Sequence, residues 1–387
     1  MKVALIVQRF PHGGAESYVE QIAQRLYAKG ENVTVISSIN KDCNDKNYPF
    51  SIIRLSKLFS IGEYSFWRGL GNSLKKGNFD LIHINTYGYF HSDYVAFQKR
   101  KFHYKLVMTS HGFAGVELHK LKKNKKIKKS SSFDALRPFY DEKIGKRTIL
   151  KCDHLIALSK RDVDLYKDIG VEESKITLIP PGIRDSFFLT SINDTKMRSA
   201  LDADPVLLSI GELSWIKSQD IPIRAMPLIL KEKPHAKLFL IGRDRTELQY
   251  LKGLCNKLGI EKNVTFLGFK NDDEVRNYMH SSDLLLHTSI AEGLSTVLLE
   301  SMACGLPFVT TPAGGNGYLA EESNAGMIVP FDDPSTLANT VIELIDDKKK
   351  MQNLALNGCV YAKDLAWDKV FQRITNVYTK LLNNDKN

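Results

Sequence analysis

Two glutamates stand on either side of a helix start in the stretch Glu292-Gly-Leu-Ser-Thr-Val-Leu-Leu-Glu300, which continues Ser-Met-Ala-Cys-Gly305-Leu-Pro307. Leu284, Leu285 and Leu286 before it form a short apolar run, the pattern of a buried parallel strand. Ser295 or Thr296 can cap the helix, Gly305 suits a left-handed exit, and Pro307 prevents continuation. Phe308 to Thr311 is then the next strand. A strand feeding the open N-terminus of a helix gathers free backbone N–H groups in one place, and phosphate binds well there. Glu292 precedes that anion site and Glu300 lies inside the helix. A carboxylate accepts hydrogen bonds from sugar hydroxyls. A phosphate flanked by two sugars describes a nucleotide-sugar.

Other residues could share in that chemistry. Lys217 ends the segment Gly211-Glu-Leu-Ser-Trp-Ile-Lys217, just past a strand. A cation there can neutralise a diphosphate leaving group, although taken alone it reads first as a solvated loop lysine. Gly13-Gly14 lets backbone approach a ligand closely, and equally makes an ordinary tight turn. His111, in Thr109-Ser-His-Gly112, follows a strand and suits a structural hydrogen bond as well as a ligand contact. His83 falls within a strand and reads as structural. Asp162-Val-Asp164 and Asp202-Ala-Asp204 have a spacing used by metal sites. The first pair sits on a helix and the second in a loop, so both read as surface carboxylates, and neither a metal nor a cofactor is expected.

The elements that must position these groups come in two series. Val3–Val7 is a buried strand, Ala15–Lys29 an amphipathic helix closed by Gly30, and Asn32–Ser37 a second strand. This βαβ unit implies a right-handed crossover and a parallel sheet. Further strands are expected at Leu81–Ile84, Leu106–Thr109 and Leu155–Ala157, and a lysine-rich, irregular insertion over Gly115–Arg147. Ile179-Pro-Pro-Gly182 breaks the pattern and makes a hinge. The pattern then restarts, with strands at Pro205–Ile210, Leu238–Ile241, Val264–Leu267 and Leu284 and helices at Asp220–Lys231, Thr246–Leu258 and Asp272–His280. The fold class is therefore α/β, two doubly wound Rossmann-like domains over residues 1–183 and 184–365. Ligands of such sheets bind at the carboxyl ends of strands, and with two domains the natural site is the cleft between them. A last helix, within 366–387, carries the apolar stripe Val370, Phe371, Ile374, Val377, Tyr378, Leu381, which suits a return onto the first domain.

Composition is that of an ordinary globular protein: 387 residues, 43% hydrophobic and 25% charged. Five cysteines without metal-ligand spacing point to reduced thiols. The N-terminal apolar run is too short for a signal peptide, and no stretch reaches membrane-spanning length, so a cytoplasmic location is expected. The net charge of +10 is uneven, because lysines crowd Lys120–Lys129. Such a block marks a solvated face, or peripheral contact with anionic lipid at the inner face of a plasma membrane. Little aromatic interleaving accompanies it, so nucleic acid is not expected.

Taken together, these motifs resemble the retaining nucleotide-sugar glycosyltransferases of the GT-B fold, family four. The specific part is the Glu292 to Glu300 stretch. Gly13-Gly14-Ala-Glu16, Ser110-His111-Gly112, Ala157-Leu-Ser159, Ile179-Pro-Pro-Gly182, Gly211-x-Leu-x3-Lys217, Ile241-Gly242 and Phe266-Leu-Gly268 support it. The resemblance implies an acceptor-side first domain and a nucleotide-sugar-binding second domain. It implies that Lys217 binds the donor diphosphate together with backbone N–H groups of Ser295, Thr296 and Val297, near Gly211, Gly242 and Arg243. Glu300 would hold the ribose, and Glu292 with Gly293 and Leu294 the donor sugar. His111 would contact that sugar, Gly14 would lie near the phosphate, and Gly268-Phe269 would meet the base. Glu292, His111 and Lys217 are then the groups nearest the chemistry, and the donor is a UDP-, GDP- or ADP-sugar. The implied product is a cell-surface polysaccharide such as capsule, O-antigen or exopolysaccharide, built on a glycan or lipid-linked acceptor. Three positions depart from the family pattern. Glu212 replaces an arginine that grips phosphate, Pro181 an asparagine, and Ser295 a glycine. Arg243 or Arg245 is a candidate to offset Glu212. A nucleotide-sugar epimerase of the same fold, or a catalytically weak partner subunit, are the rival readings.

Overall fold

The structure, a computed structural model, describes residues 1–11, 13–39, 45–61, 64–112, 137–189 and 198–383. The chain divides into two compact units, Met1–Gly182 with Trp367–Asn387, and Ile183–Ala366.

The first unit holds a seven-stranded parallel sheet in the order β3-β2-β1-β6-β7-β8-β9. Its strands are β1 (Lys2–Ile6), β2 (Asn32–Ser38), β3 (Ser51–Leu55), β6 (Leu81–Ile84), β7 (Lys105–Thr109), β8 (His154–Ala157) and β9 (Ile176–Leu178). A separate antiparallel hairpin of β4 (Lys57–Ile61) and β5 (Tyr64–Trp67) follows β3. Val3 faces Val33 on one side and Leu81 on the other. All three are buried, which is why these strands read as unbroken apolar runs rather than alternating ones. The helix Gly14–Ala28 buries Tyr18, Val19, Ile22, Ala23 and Leu26, and Gly30 (φ 78°) supplies the left-handed exit.

The C-terminal helix Trp367–Asn383 belongs to this unit and buries Trp367, Val370, Phe371, Ile374, Val377 and Tyr378. Each such side chain, fully buried, is worth about 1.5–3 kcal/mol. Polar contacts fix its seat. The Tyr378 hydroxyl lies 2.6 Å from His83 Nδ1, and Arg25 Nε donates to Asp368 Oδ1 at 3.0 Å. His83 is thus a structural histidine, as its position in a strand suggests; burial pushes its pKa down to about 3.

The second unit carries a six-stranded parallel sheet in the order β12-β11-β10-β13-β14-β15. Its strands are β10 (Val206–Ile210), β11 (Lys237–Ile241), β12 (Val264–Gly268), β13 (Leu284–His287), β14 (Phe308–Thr310) and β15 (Gly326–Ile328). The central strands β10 and β13 are joined by Leu207 with Leu284 and Leu208 with Leu285.

Two expectations are corrected. Residues 137–147, read as part of an irregular insertion, belong to the helical turns Arg137–Tyr140, Asp141–Gly145 and Lys146–Leu150. Tyr140 and Thr148 there both donate to the buried Asp93, which fastens the segment. Asp162, read as a surface carboxylate, is buried, and it accepts the Leu158 N–H at 3.1 Å. Burial raises its pKa to about 6, and through its contacts to Leu158 and Ser159 it sits at the start of the helix Lys160–Ile169. Asp202 and Asp204 are exposed, as expected. The lysine block Lys120–Lys129 and Cys43 lie outside the described residues. Among the described residues no helix is long and apolar enough to cross a membrane.

Candidate functional site

The carboxyl end of β13 passes through residues 288–295 into the helix Thr296–Ala303. Beside it lies the loop that follows β10. The Ile290 N–H donates to Ile216 O at 2.7 Å, and Thr288 Oγ1 donates to Ser218 O at 2.9 Å. This stitching brings together two residues that are remote in sequence: Lys217 Nζ donates to Glu292 Oε1 at 2.6 Å. His287 Nε2, from the end of β13, lies 3.2 Å from the same oxygen. The Lys217 side chain is 27% exposed and that of Glu292 12%. Burial opposes ionisation of Glu292, yet Lys217 and His287 outweigh it and hold the carboxyl well below its usual range. The anion is therefore permanent at physiological pH, with one oxygen saturated by its two partners.

The start of the helix is braced from a quarter the sequence reading missed. The Ser295 N–H donates to Asn316 Oδ1 at 3.0 Å. Ser295 sits at the capping position, but its hydroxyl makes no cap bond. Two expectations change here: the Ser295 N–H is already engaged, and the serine does not cap. The N–H groups of Thr296 and Val297 lie in the first turn, where no intrahelical acceptor exists, the chemistry an anion site needs. The only trace of this brace in the sequence is the pair Gly314-Gly315 before Asn316. Gly314 has φ 58°, and a Cβ there would fall 2.1 Å from Glu292 O. The Gly315 N–H donates to Gly293 O at 2.6 Å. Gly314→Ala is accordingly expected to lower stability by about 2 kcal/mol or more, combining left-handed strain with a backbone clash. Urea unfolding beside wild type reads this directly.

Glu300 is 8% exposed and accepts from Arg184 Nη2 at 2.6 Å. Arg184 also pairs with Asp272, the first residue of the helix Asp272–His280. Burial raises the Glu300 pKa, and Arg184 offsets this only in part. Arg184 was not singled out from sequence; it follows the Pro-Pro-Gly break, where a turn rather than a side chain draws notice.

The expected phosphate loop is tightly built. A Cβ on Gly242 would fall 1.9 Å from Gly211 O, so the two strand ends touch through backbone. Glu212 does not confront this loop as a lone anion, because Arg245 donates to its Oε1 through Nε at 3.0 Å and Nη2 at 2.8 Å. The Arg243 guanidinium sits 4.3 Å from the ring centroid of Phe269, which is 61% exposed. Gly268 has φ 69° and open space where a side chain would stand.

Within the first unit, Gly14 begins its helix with nothing within 4 Å of a notional Cβ. His111 has φ 51°, rare for a residue with a side chain. Its ring meets Tyr18 edge-on, with centroids 4.8 Å apart. Its Nε2 is buried without a hydrogen-bond partner. Burial pushes its pKa down to about 3, so the ring is neutral at physiological pH. A strained backbone with an unsatisfied ring nitrogen is a feature that structure alone does not require.

Residues 12–187 match the model for Glycosyltransferase Family 4, and residues 193–359 that for Glycosyl transferases group 1. The chain belongs to the group 1 glycosyltransferase family. Across 99% of its length it is 26% identical to an uncharacterized glycosyltransferase of Methanocaldococcus jannaschii, all of which is covered. It is 24% identical to the D-inositol 3-phosphate glycosyltransferase of Thermomonospora curvata, over 95% of this chain and 90% of that one. Anabaena HepE in complex with UDP superposes with a TM-score of 0.79 at 23% identity, covering 98% of this chain and all of that one. The two parallel α/β units of this glycosyltransferase are accordingly those of the GT-B fold. Its Lys217–Glu292 pair and its Thr296–Ala303 helix lie at the carboxyl edge of the second sheet, where open α/β sheets bind their ligands.

Proposed function

We propose that this glycosyltransferase moves a hexose or related sugar from a nucleotide-diphosphate-sugar to a glycan or lipid-linked acceptor, with retention of configuration and without a metal ion. One observation carries the reading. Glu292 is held ionised by Lys217 and His287 at the entrance to a helix that contains a second buried carboxylate, Glu300. Lys217 has donors to spare after serving Glu292, and with the Thr296 and Val297 N–H groups it would neutralise the leaving diphosphate. Glu292 would accept from hydroxyls of the donor sugar and Glu300 from the ribose, while the exposed Phe269 ring would receive the base. Retention would follow from front-face attack, with the departing phosphate taking the acceptor proton. The protein's part is then chiefly to stabilise that phosphate and to position the acceptor. Pairing of Glu212 with Arg245 supports the reading, since the added anion is matched by a cation. Assembly of a cell-surface polysaccharide is the process proposed. Peripheral contact with anionic lipid through Lys120–Lys129 is a further part of the proposal.

A thermal-shift panel of UDP-, GDP- and ADP-sugars tests donor binding, because a ligand of the folded state raises the melting temperature. That HepE was crystallised with UDP-glucose makes UDP-glucose the first donor to try. Saturable stabilisation by one of the three is expected; none would sink the reading and leave a non-catalytic subunit. Incubating the bound donor without acceptor should give no epimer. His111→Phe keeps the ring against Tyr18 but removes the unpartnered nitrogen. About ten-fold to a hundred-fold slower turnover is expected, with an unchanged melting temperature. Because His111 is neutral well below pH 6, it should impose no histidine-like inflection on the pH–rate profile between 6 and 8.

A further inference from the structure

Arg184 is placed where the proposed nucleoside contacts converge, and nothing in the motifs accounts for it. One amine, Nη2, donates to Glu300 Oε1 at 2.6 Å, and the other, Nη1, donates to Asp272. The guanidinium therefore bridges the helix that carries Glu300 to the segment Gly268–Asp272, which also carries Phe269. The guanidinium carbon lies over the Phe187 ring, 5.0 Å from its centroid. Arg184 is only 31% exposed and is already committed to two carboxylates, so it is a poor candidate for a phosphate ligand. Its charge instead compensates a carboxylate that burial would otherwise neutralise. Among the described residues only Arg184 donates to the Glu300 carboxylate, and it does so to Oε1. The geometry leaves Oε2 as the acceptor available to a ligand hydroxyl.

We infer that Arg184 is the positioning residue for ribose recognition: it holds Glu300 through Oε1 and orients it, so that the second carboxylate oxygen selects ribonucleotides over deoxyribonucleotides. The inference rests on the reading of Glu300 as the ribose acceptor. A hydroxyl donating to a charged carboxylate is worth about ten-fold to a hundred-fold in affinity. Arg184 would govern that preference without touching the nucleotide. Through Asp272 it would also tie the base-side segment to the ribose-side helix, a second effect that should alter affinity for all nucleotides alike.

The test is the ratio of dissociation constants for UDP and 2′,3′-dideoxy-UDP, and for GDP and its dideoxy analogue, measured calorimetrically on the full chain. Wild type should prefer the ribonucleotide at least ten-fold. Arg184→Met should bring that ratio close to one, and Arg184→Lys, which retains a cation for Glu300, should restore much of it. Asp272→Asn should leave the ratio unchanged. Equal weakening of both nucleotides by Arg184→Met, with the ratio preserved, would overturn the inference and leave Arg184 a simple tether. Should Arg184→Met not fold, a ratio in Arg184→Lys no different from that of Glu300→Gln would overturn it equally. Glu300→Gln separates the two claims. If it leaves the ratio untouched, or if wild type binds no ribonucleotide, the ribose reading itself fails and the inference falls with it. If Glu300→Gln collapses the ratio while Arg184→Met does not, only the inference fails.

Discussion

Lys217→Ala is expected to lose about a hundred-fold to a thousand-fold in donor turnover and to unfold at lower temperature than wild type. The first effect follows from the role proposed for Lys217 in neutralising the departing diphosphate; deleting a single donor to a developing anion costs about that much. The second follows from the ion pair. Lys217 and Glu292 are 2.6 Å apart and mostly buried. Removing one member leaves a desolvated charge, worth about 3 kcal/mol at the lower end of the range for such pairs, since a quarter of Lys217 is exposed. The pH dependence distinguishes this from a generic loss of packing. In the folded state the Glu292 pKa is depressed below its ordinary 4.5. The pair therefore contributes its full stability above pH 4.5, and that contribution is lost as pH falls toward the folded value. Wild type and Lys217→Ala should differ most in melting temperature near neutrality and converge in acid. Parallel curves throughout that range would show that the pair contributes nothing electrostatic. The double variant Lys217→Ala with Glu292→Gln should recover part of the stability and none of the turnover.

Glu300→Ala should abolish donor turnover, yet Glu300→Gln should melt no lower than wild type at pH 7. The two glutamates of one motif thus behave oppositely. Burial raises the Glu300 pKa and Arg184 offsets it only in part. Ionised Glu300 is therefore unfavourable in the fold: stability associated with its protonated form is present at low pH and lost as pH rises through the raised pKa. A buried carboxylate kept at a stability cost is the pattern of a ligand-binding group rather than a structural one. Replacing it with the isosteric amide removes that cost while spoiling recognition of sugar hydroxyls. Melting curves and single-turnover assays on the same preparation read both effects. A fully active Glu300→Ala would remove Glu300 from the site.

The two parallel sheets, their main strands and the start of the Thr296–Ala303 helix could be read from apolar runs and from Gly and Pro stops. Strands buried on both faces carry their signal in four or five consecutive residues. The short strands β3, β9 and β15 were missed because their residues are largely half-buried or exposed and their runs are brief. Helix 137–150 was obscured by charged residues, since its hold on the fold comes from Tyr140 and Thr148 reaching Asp93.

Residue types and spacing marked Glu292 and Glu300, whereas Lys217 and His111 took their expected roles from the family resemblance. How those groups are partnered was not visible. Lys217 with Glu292, Arg184 with Glu300, Asn316 with Ser295 and Arg245 with Glu212 each join residues that are remote in sequence. Sequence records which side chains a chain possesses and, through periodicity, which way each element faces. It does not record which loops meet at the ends of parallel strands, because strand order in a doubly wound sheet departs from chain order. The charges of Glu292 and Glu300 were therefore determined by sequence, and the opposite environments of those charges by tertiary structure alone.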